Sequence, residues 1–116
     1  MSPKRRDRVA PPPAPGEWEL RFHANDAAKG WEELCRQAPG NTARAWHLLR
    51  ADPRPPVDDR HFPLHGALAT KLIDGVDCEQ WELEVTGSGR IFYAIDDERR
   101  TVWITVAGTG HPKVTD

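Results

Sequence analysis

Two parts of the sequence contain residue types that can bind an anion and move a proton. Arg90 precedes the apolar stretch IFYAI, and its planar guanidinium can present two parallel N–H donors to a phosphate. His111 and Lys113 follow the last apolar stretch; an imidazole titrates near neutrality, and the lysine can add a phosphate contact. Glu82 and Glu84 lie upstream. An ion pair with one of these carboxylates is the alternative role for Arg90.

Three predicted β-strands, spanning residues 81–113, position these side chains. Apolar and polar residues alternate along them with the period of two that is typical of half-buried antiparallel strands. TGSG at 86–89 and DDERR at 96–100 supply the turns. Glu82 and Glu84 should lie on the face opposite the apolar one. The apolar positions are Trp81, Leu83, Val85, Ile91, Tyr93, Ile95, Val102, Ile104 and Val106.

The first half of the domain is predicted to contain one strand and two helices. WELRFHA alternates and predicts a strand over 18–24. Apolar residues at helical spacing predict a helix over 26–38, with Asn25 as its N-cap and Pro39-Gly40 ending it. A second helix is predicted from Asn41 to about Arg50.

The remaining connections complete an α+β domain. Residues 52–62 hold three prolines and predict a loop, FPLHGAL re-enters the fold, and KLIDGVDCE at 71–79 leads as a turn into the three strands. The predicted order is β-α-α-β-β-β, with a helical hairpin packed on one face of an antiparallel sheet and the other face free. Residues 1–16, basic and proline-rich, are expected to be a disordered tail before one domain at 17–116.

Composition excludes several classes of protein. No apolar stretch approaches 18 residues and no apolar segment follows the N-terminal charges, so we expect a cytoplasmic protein without membrane contact. A zinc site needs closely spaced pairs of ligands, and neither the widely separated Cys35 and Cys78 nor the histidines form such pairs. Neither a metal nor a cofactor is therefore expected. Residues 1–16 hold four basic and one acidic residue, which leaves 12 basic and 17 acidic in the rest. Any nucleic-acid contact must therefore come from a local cluster.

The predicted order and three short motifs resemble the RelE/ParE superfamily of bacterial toxin–antitoxin toxins, over roughly residues 17–113. In that superfamily a PL-K-G-L-like segment follows the second helix, then an aromatic strand, then a Y-R-L-V-Y-like strand. Within the superfamily, the chain resembles the subgroup of RelE-like cytotoxic translational repressors. The matching motifs here are Pro63-Leu64-His65-Gly66, Trp81-Glu82-Leu83-Glu84 and Gly89-Arg90-Ile91-Phe92-Tyr93.

The resemblance implies a metal-independent endoribonuclease that cleaves mRNA at the ribosome and is bound by a cognate antitoxin. The 2′-hydroxyl of the RNA attacks the neighbouring phosphate, which requires a cation at the phosphate, a base and an acid. It implies that Arg90 stabilises the phosphate and that His111 transfers protons, paired with Glu82 or Glu84. Lys113, Lys71 and His65 are the expected RNA-binding residues.

The sequence also departs from the family pattern. Ribosome-dependent members have lysines on the first strand of the three, where this chain has Gln80, Glu82 and Glu84, and the chain lacks their C-terminal tyrosine. Two alternatives therefore stay open. One is a ParE-like toxin that binds DNA gyrase without chemistry, and the other is an inactive RelE-fold module that binds an antitoxin-like protein.

Overall fold

The structure, a computed structural model, describes residues 3–9 and 11–110. It contains six strands and two helices, which confirms the α+β class. A 3₁₀ turn, Gly66–Leu68, separates the second strand from the third. The elements in chain order are β1 Glu19–Phe22, α1 Asn25–Gln37, α2 Pro39–Ala51, β2 His61–Pro63, β3 Thr70–Ile73, β4 Val76–Glu84, β5 Arg90–Asp96 and β6 Thr101–Gly108.

The six strands form one mixed sheet in the order β1-β6-β5-β4-β2, with β3 also paired to β4. The meander β4-β5-β6 is antiparallel, as predicted. The prediction of a wholly antiparallel sheet is wrong, because β1 runs parallel to β6. Alternation has a period of two in both kinds of pairing, so it cannot indicate the direction of a strand.

The segment predicted to be a turn before the meander is a β-hairpin. β3 pairs with the first half of β4, and only Asp74 and Gly75 lie between the two strands. Both residues have positive φ, 50° and 83°, as a two-residue type I′ turn requires. The first meander strand therefore begins at Val76, five residues before the predicted start at Trp81.

Helices α1 and α2 cover one face of the sheet. Gly30 allows α1 to approach β6 closely, since a Cβ on Gly30 would lie 1.7 Å from the backbone oxygen of Ala107. The boundary between the helices differs from the prediction: Pro39 occupies the first turn of α2, where its missing N–H costs no hydrogen bond. Asn25 and Asn41 are helical residues and not N-caps; the residues at those caps are Ala24 and Ala38.

A β-bulge changes which side chains face the helices at the end of β6. The register shifts between Phe92 and Tyr93, so that Val106 pairs with Phe92 while Ile104 pairs with Tyr93. Beyond the bulge Val106 shares the face of Phe92, and Ala107 instead packs against the main core. The remaining predicted apolar positions of the meander are all members of that core: Trp81, Leu83, Val85, Ile91, Tyr93, Ile95, Val102 and Ile104.

The opposite face of the sheet is not the open surface that the sequence led us to expect. Phe92, Ala94 and Trp103 lie on this face and are at most 2% exposed. Ala94 and Trp103 form a second apolar cluster with Ile73 and Cys78, since the β3-β4 hairpin packs there. The middle of this face is therefore closed, and polar side chains gather at its two ends.

The N-terminal segment, expected to be disordered, packs beside β1. The N–H of Val9 donates to Leu20 O at 2.8 Å, the N–H of Phe22 donates to Asp7 O at 3.0 Å, and Val9 is buried. The buried Arg50 of α2 donates to the carbonyl oxygens of two prolines further along the segment, at 2.9 and 2.7 Å. Burial of a valine and pairing of backbone groups give this segment a stabilising role that its composition does not indicate.

Candidate functional site

Arg90, Glu82 and Glu84 meet on the second face of the sheet, at the end where β4 and β5 join. Arg90 Nε lies 3.2 Å from Glu82 Oε2, and Arg90 Nη1 lies 3.7 Å from Glu84 Oε1. The side chains of Arg90 and Glu82 are only 12% and 10% exposed, against 21% for Glu84. Two of the three expected catalytic elements, a cation and a carboxylate, therefore lie side by side.

Strand register and one turn produce this arrangement. Glu84 is the direct cross-strand partner of Arg90 on the antiparallel pair, and Glu82 pairs with Phe92 two residues further on. Neighbours at these positions lie on one face within side-chain reach. The turn TGSG also contributes, because Arg90 Nη1 donates to the carbonyl oxygens of Thr86 and Gly89 at 3.0 and 3.1 Å. A guanidinium held by carboxylates and carbonyls has few conformations open to it.

The contacts of Arg90 correspond to the alternative raised from the sequence, an arginine paired with the carboxylates of its own hairpin. Each described polar contact of the Arg90 side chain is with a residue of its own hairpin, between Glu82 and Gly89. A phosphate that approached Arg90 would compete with a nearby carboxylate for the same donors. The geometry is compatible with a catalytic base beside a phosphate-binding cation, and equally with a structural ion pair.

The other predicted site residues do not join this cluster. Lys71 pairs with Cys78 on β4, six residues from Glu84, which is roughly 20 Å at the ordinary rise of a strand. His65 is exposed and follows the edge strand β2, whose end at Pro63 pairs with Trp81 and leads away from Glu84. His111 and Lys113 lie outside the described residues. Lys71 and His65 are therefore separate from Arg90, and the predicted acid at His111 stays a prediction.

A second polar cluster, which we call the Trp103 cluster, surrounds the indole of Trp103 on β6; its charged members are Arg6, Arg21, Arg99 and Asp74. The guanidinium carbons of Arg6 and Arg99 lie 5.1 and 5.6 Å from the centre of the Trp103 ring, within range of a cation–π interaction. Asp74 Oδ2 lies 3.0 Å from Arg6 Nη2 and 2.7 Å from Arg99 Nη1. Hydrogen bonds from Arg99 and then Arg6 lower the pKa of Asp74 to about 2.

Sequence reasoning missed the Trp103 cluster because its members come from four separate segments of the chain. Arg6 belongs to the segment expected to be disordered, and Asp74 to the turn of an unpredicted hairpin. Only the Asp-Gly dipeptide at 74–75 was a local signal, since it favours a two-residue hairpin turn. A hairpin prediction there would have placed Asp74 at a strand end, but not beside Arg6.

His61 and Tyr93 form a buried polar pair that the sequence also did not reveal. The Tyr93 hydroxyl donates to the carbonyl oxygen of Pro53 at 2.6 Å, so it accepts the hydrogen bond from His61 Nε2–H. Burial lowers the pKa of His61 and raises that of Tyr93. Through its hydrogen bond to the carbonyl oxygen of Pro53, the pair fixes the proline-rich loop against β5.

The structure and the comparisons limit what else the chain can be assigned. Within residues 3–9 and 11–110, no group of three or more His, Cys, Asp or Glu side chains is arranged to hold a metal ion. The described helices include none that is long and apolar enough to cross a membrane. Neither a protein-family model nor a curated protein matches the sequence. Functional inference therefore depends on residues and geometry.

Proposed function

We propose that this chain is a RelE-like toxin that cleaves mRNA at the ribosome without a metal ion and is neutralised by a cognate antitoxin. The observation that supports this proposal most directly is the convergence of Glu82 and Glu84 on Arg90. Cleavage of RNA by its own 2′-hydroxyl needs a base and a cation within a few ångströms of each other. An arginine and carboxylates on one sheet face supply both groups.

In the proposed reaction, Glu82 removes the proton from the 2′-hydroxyl as the oxygen attacks phosphorus. Arg90 stabilises the charge that develops on the non-bridging phosphate oxygens. The bond from phosphorus to the 5′-oxygen breaks, and that oxygen takes a proton from an acid, for which His111 is the candidate. The products are a 2′,3′-cyclic phosphate and a 5′-hydroxyl. Phosphate must first displace Glu82 from Arg90, and this displacement frees the carboxylate to act as the base.

Cleavage of mRNA by translating ribosomes, mapped by primer extension, tests the proposal. We expect Glu82→Gln to lower the cleavage rate about a hundredfold or more, the usual contribution of a general base. Its affinity for an uncleavable 2′-O-methyl RNA should not weaken, because removing the competing charge leaves Arg90 available. Arg90→Lys should lower the rate as well, since a lysine lacks the two-donor fork. Wild-type cleavage by both variants would contradict the assigned roles.

The candidate acid needs its own variant. His111→Ala should lower the rate and remove the basic limb of the pH–rate profile, because a general acid must be protonated to act. Cleavage by His111→Ala at the wild-type rate over the whole profile would show that another group provides the proton.

A second candidate function is that of a non-catalytic binding module. It is favoured because every described polar contact of the Arg90 side chain is with its own hairpin, as expected of a structural arginine. This candidate predicts no cleavage by the wild-type protein on ribosomes. Gyrase-dependent DNA breaks in the presence of the protein would instead identify a ParE-like toxin, and no activity in either assay would favour the binding module.

A further inference from the structure

We infer that the Trp103 cluster is a separate docking site for the phosphate backbone of single-stranded RNA, distinct from the Arg90 site. This inference rests on the proposed RNA-directed function, because it takes RNA to be the polyanion that reaches the protein. It concerns a different surface, where β1, β6 and the β3-β4 hairpin meet the N-terminal segment. The two sites lie toward opposite ends of the meander, as Thr101 pairs with Asp96 and Gly108 with Arg90.

Geometry is the first support for this inference. Arg6, Arg21 and Arg99 line a polar cleft of about 350 Å³ whose other walls are Glu19, Thr101 and Trp103. The arginine side chains are from 34% to 50% exposed, so their donors can reach a ligand in solvent. A concave surface with several guanidinium groups suits phosphate, since each group can present paired donors to two oxygens.

The balance of charge is the second support. Asp74 forms ion pairs with both Arg6 and Arg99, and Glu19 forms ion pairs with both Arg8 and Arg21. Arg99 also pairs with the buried Asp96 at 2.7 Å. Four arginines thus share three carboxylates. Each guanidinium has five N–H donors, so the arginines together have more donors than these carboxylates can accept.

Lys71 is one further cation close to the cleft. Burial, and then the charges of Lys71 and Arg6, lower the pKa of His23, whose ring packs edge-on against Trp103 at 6.5 Å between centres. Lys71 therefore belongs to the surroundings of this cluster, although the sequence assigned it to the Arg90 site. A local excess of cations is what a polyanion needs on a chain of net negative charge.

Backbone conformation is the third support. Among the described residues, the non-glycine residues with positive φ are Arg6, Asp74 and Arg100, and two of these three form an ion pair in the cluster. Asp74 has a positive φ because it lies in the type I′ turn of the β3-β4 hairpin, so the informative residue is Arg6; a positive φ is uncommon for arginine and often marks a functional position. Arg21 holds the backbone of Arg6 in place, because its Nη1 donates to the carbonyl oxygen of Arg6 at 2.8 Å.

The same structure limits the kind of recognition. Trp103 is 2% exposed and has arginines over its ring, so it cannot stack on an RNA base. Binding should therefore follow the phosphates and show little preference for base sequence. Asp74 occupies the donors in the free protein and is the group that RNA must displace.

The test measures binding of a fluorescent, uncleavable 2′-O-methyl oligonucleotide by anisotropy at several salt concentrations. We expect Arg6→Gln with Arg21→Gln to weaken binding and to reduce the slope of log K against log[salt] by about 1.4, the value for two lost contacts to a single strand. The matched control is Lys29→Gln with Arg36→Gln, which removes two exposed positive charges from α1 and should leave the slope unchanged.

Asp74→Asn tests the competing carboxylate without disturbing the turn, because asparagine tolerates the positive φ of this position. Release of Arg6 and Arg99 from exposed ion pairs should tighten RNA binding roughly two- to tenfold. Asp59→Asn, at another exposed position, is the control for the loss of one negative charge, and it should have a smaller effect.

Three results would overturn the inference: no binding by the wild-type protein at low salt, an unchanged slope in the double arginine variant, or equal displacement of RNA by polyglutamate. Cleavage on ribosomes is measured in parallel with native mRNA. Binding with no cleavage would refute the proposed function and keep the docking site, whereas cleavage with an unchanged slope would refute the docking site alone.

Discussion

Replacement of Arg90 by methionine should strongly destabilise the protein. Methionine keeps an unbranched apolar stem in place of the arginine but leaves the carboxylates of Glu82 and Glu84 without their cation. Breaking a buried ion pair by removing one partner costs about 3–5 kcal/mol. The lower limit, about 3 kcal/mol, is appropriate here because Glu84 keeps 21% of its side-chain surface in contact with water.

For a chain of 116 residues, an unfolding entropy of about 2.1 cal/mol/K per residue converts this loss into a decrease in Tm of roughly 12 °C. Urea denaturation gives the free energy directly and does not change the ionic strength. Arg54→Met is the matched control. Arg54 bridges Glu79 and Asp97 on the surface at 2.9 and 2.8 Å, and exposed pairs of this kind contribute about 0–1 kcal/mol.

A triple variant separates the ion pair from the packing of the arginine stem. Addition of Glu82→Gln and Glu84→Gln to Arg90→Met removes the unpaired charges, and we expect it to recover most of the lost stability. Two results would contradict a stabilising ion pair between Arg90 and the two carboxylates. One is a free energy of unfolding for Arg90→Met within about 0.5 kcal/mol of the wild-type value, and the other is a triple variant no more stable than the single one.

Three further predictions concern the fold. Gly30→Ala should destabilise the protein by several kcal/mol in spite of the better helix propensity of alanine, because the new Cβ would collide with the backbone oxygen of Ala107. Gly40→Ala is the control, since its Cβ would have no neighbour closer than 3.8 Å, and it should not destabilise the protein. Urea denaturation measures both free energies of unfolding. Burial lowers the pKa of His61 below its unfolded value, so stability should decrease as pH falls from 7 towards 5, and His61→Asn should flatten this dependence in Tm measurements; an equal slope would contradict it. Deletion of residues 1–16 should lower the free energy of unfolding by about 2 kcal/mol or more through the lost burial of a valine, and unchanged stability would support the disordered-tail prediction.

The parts of the fold that could be predicted are those in which the local pattern decides the structure. Alternation and turn chemistry predicted the meander, since TGSG and the aspartates of DDERR are residue types that favour turns. The same pattern failed at Val106, because a bulge adds one residue and reverses the faces without a local signal. Pro39 shows the same ambiguity, as a proline after one helix can equally start the next.

The candidate sites divide in the same way. Arg90 and Glu84 lie six residues apart on one hairpin, so their contact could be anticipated from the turn between them. Arg6 and Asp74 are 68 residues apart, and their contact depends on the packing of the N-terminal segment beside β1. No periodicity in the sequence reports such a contact, because tertiary packing alone brings the two residues together.

The uneven charge of the sequence has a different meaning once the N-terminal segment is placed. As a free tail, its four basic residues would be separate from an acidic domain with 12 basic and 17 acidic groups. Packed against β1, the segment brings Arg6 and Arg8 to carboxylates of the domain, Asp74 and Glu19, which already pair with Arg99 and Arg21. Salt screens the interaction between exposed charges that lie more than about one Debye length apart. A ligand at this surface therefore responds to the charges close to it and not to the net charge of the chain. An acidic chain can thus present a local surface rich in arginine, while at Arg90 two carboxylates oppose one cation.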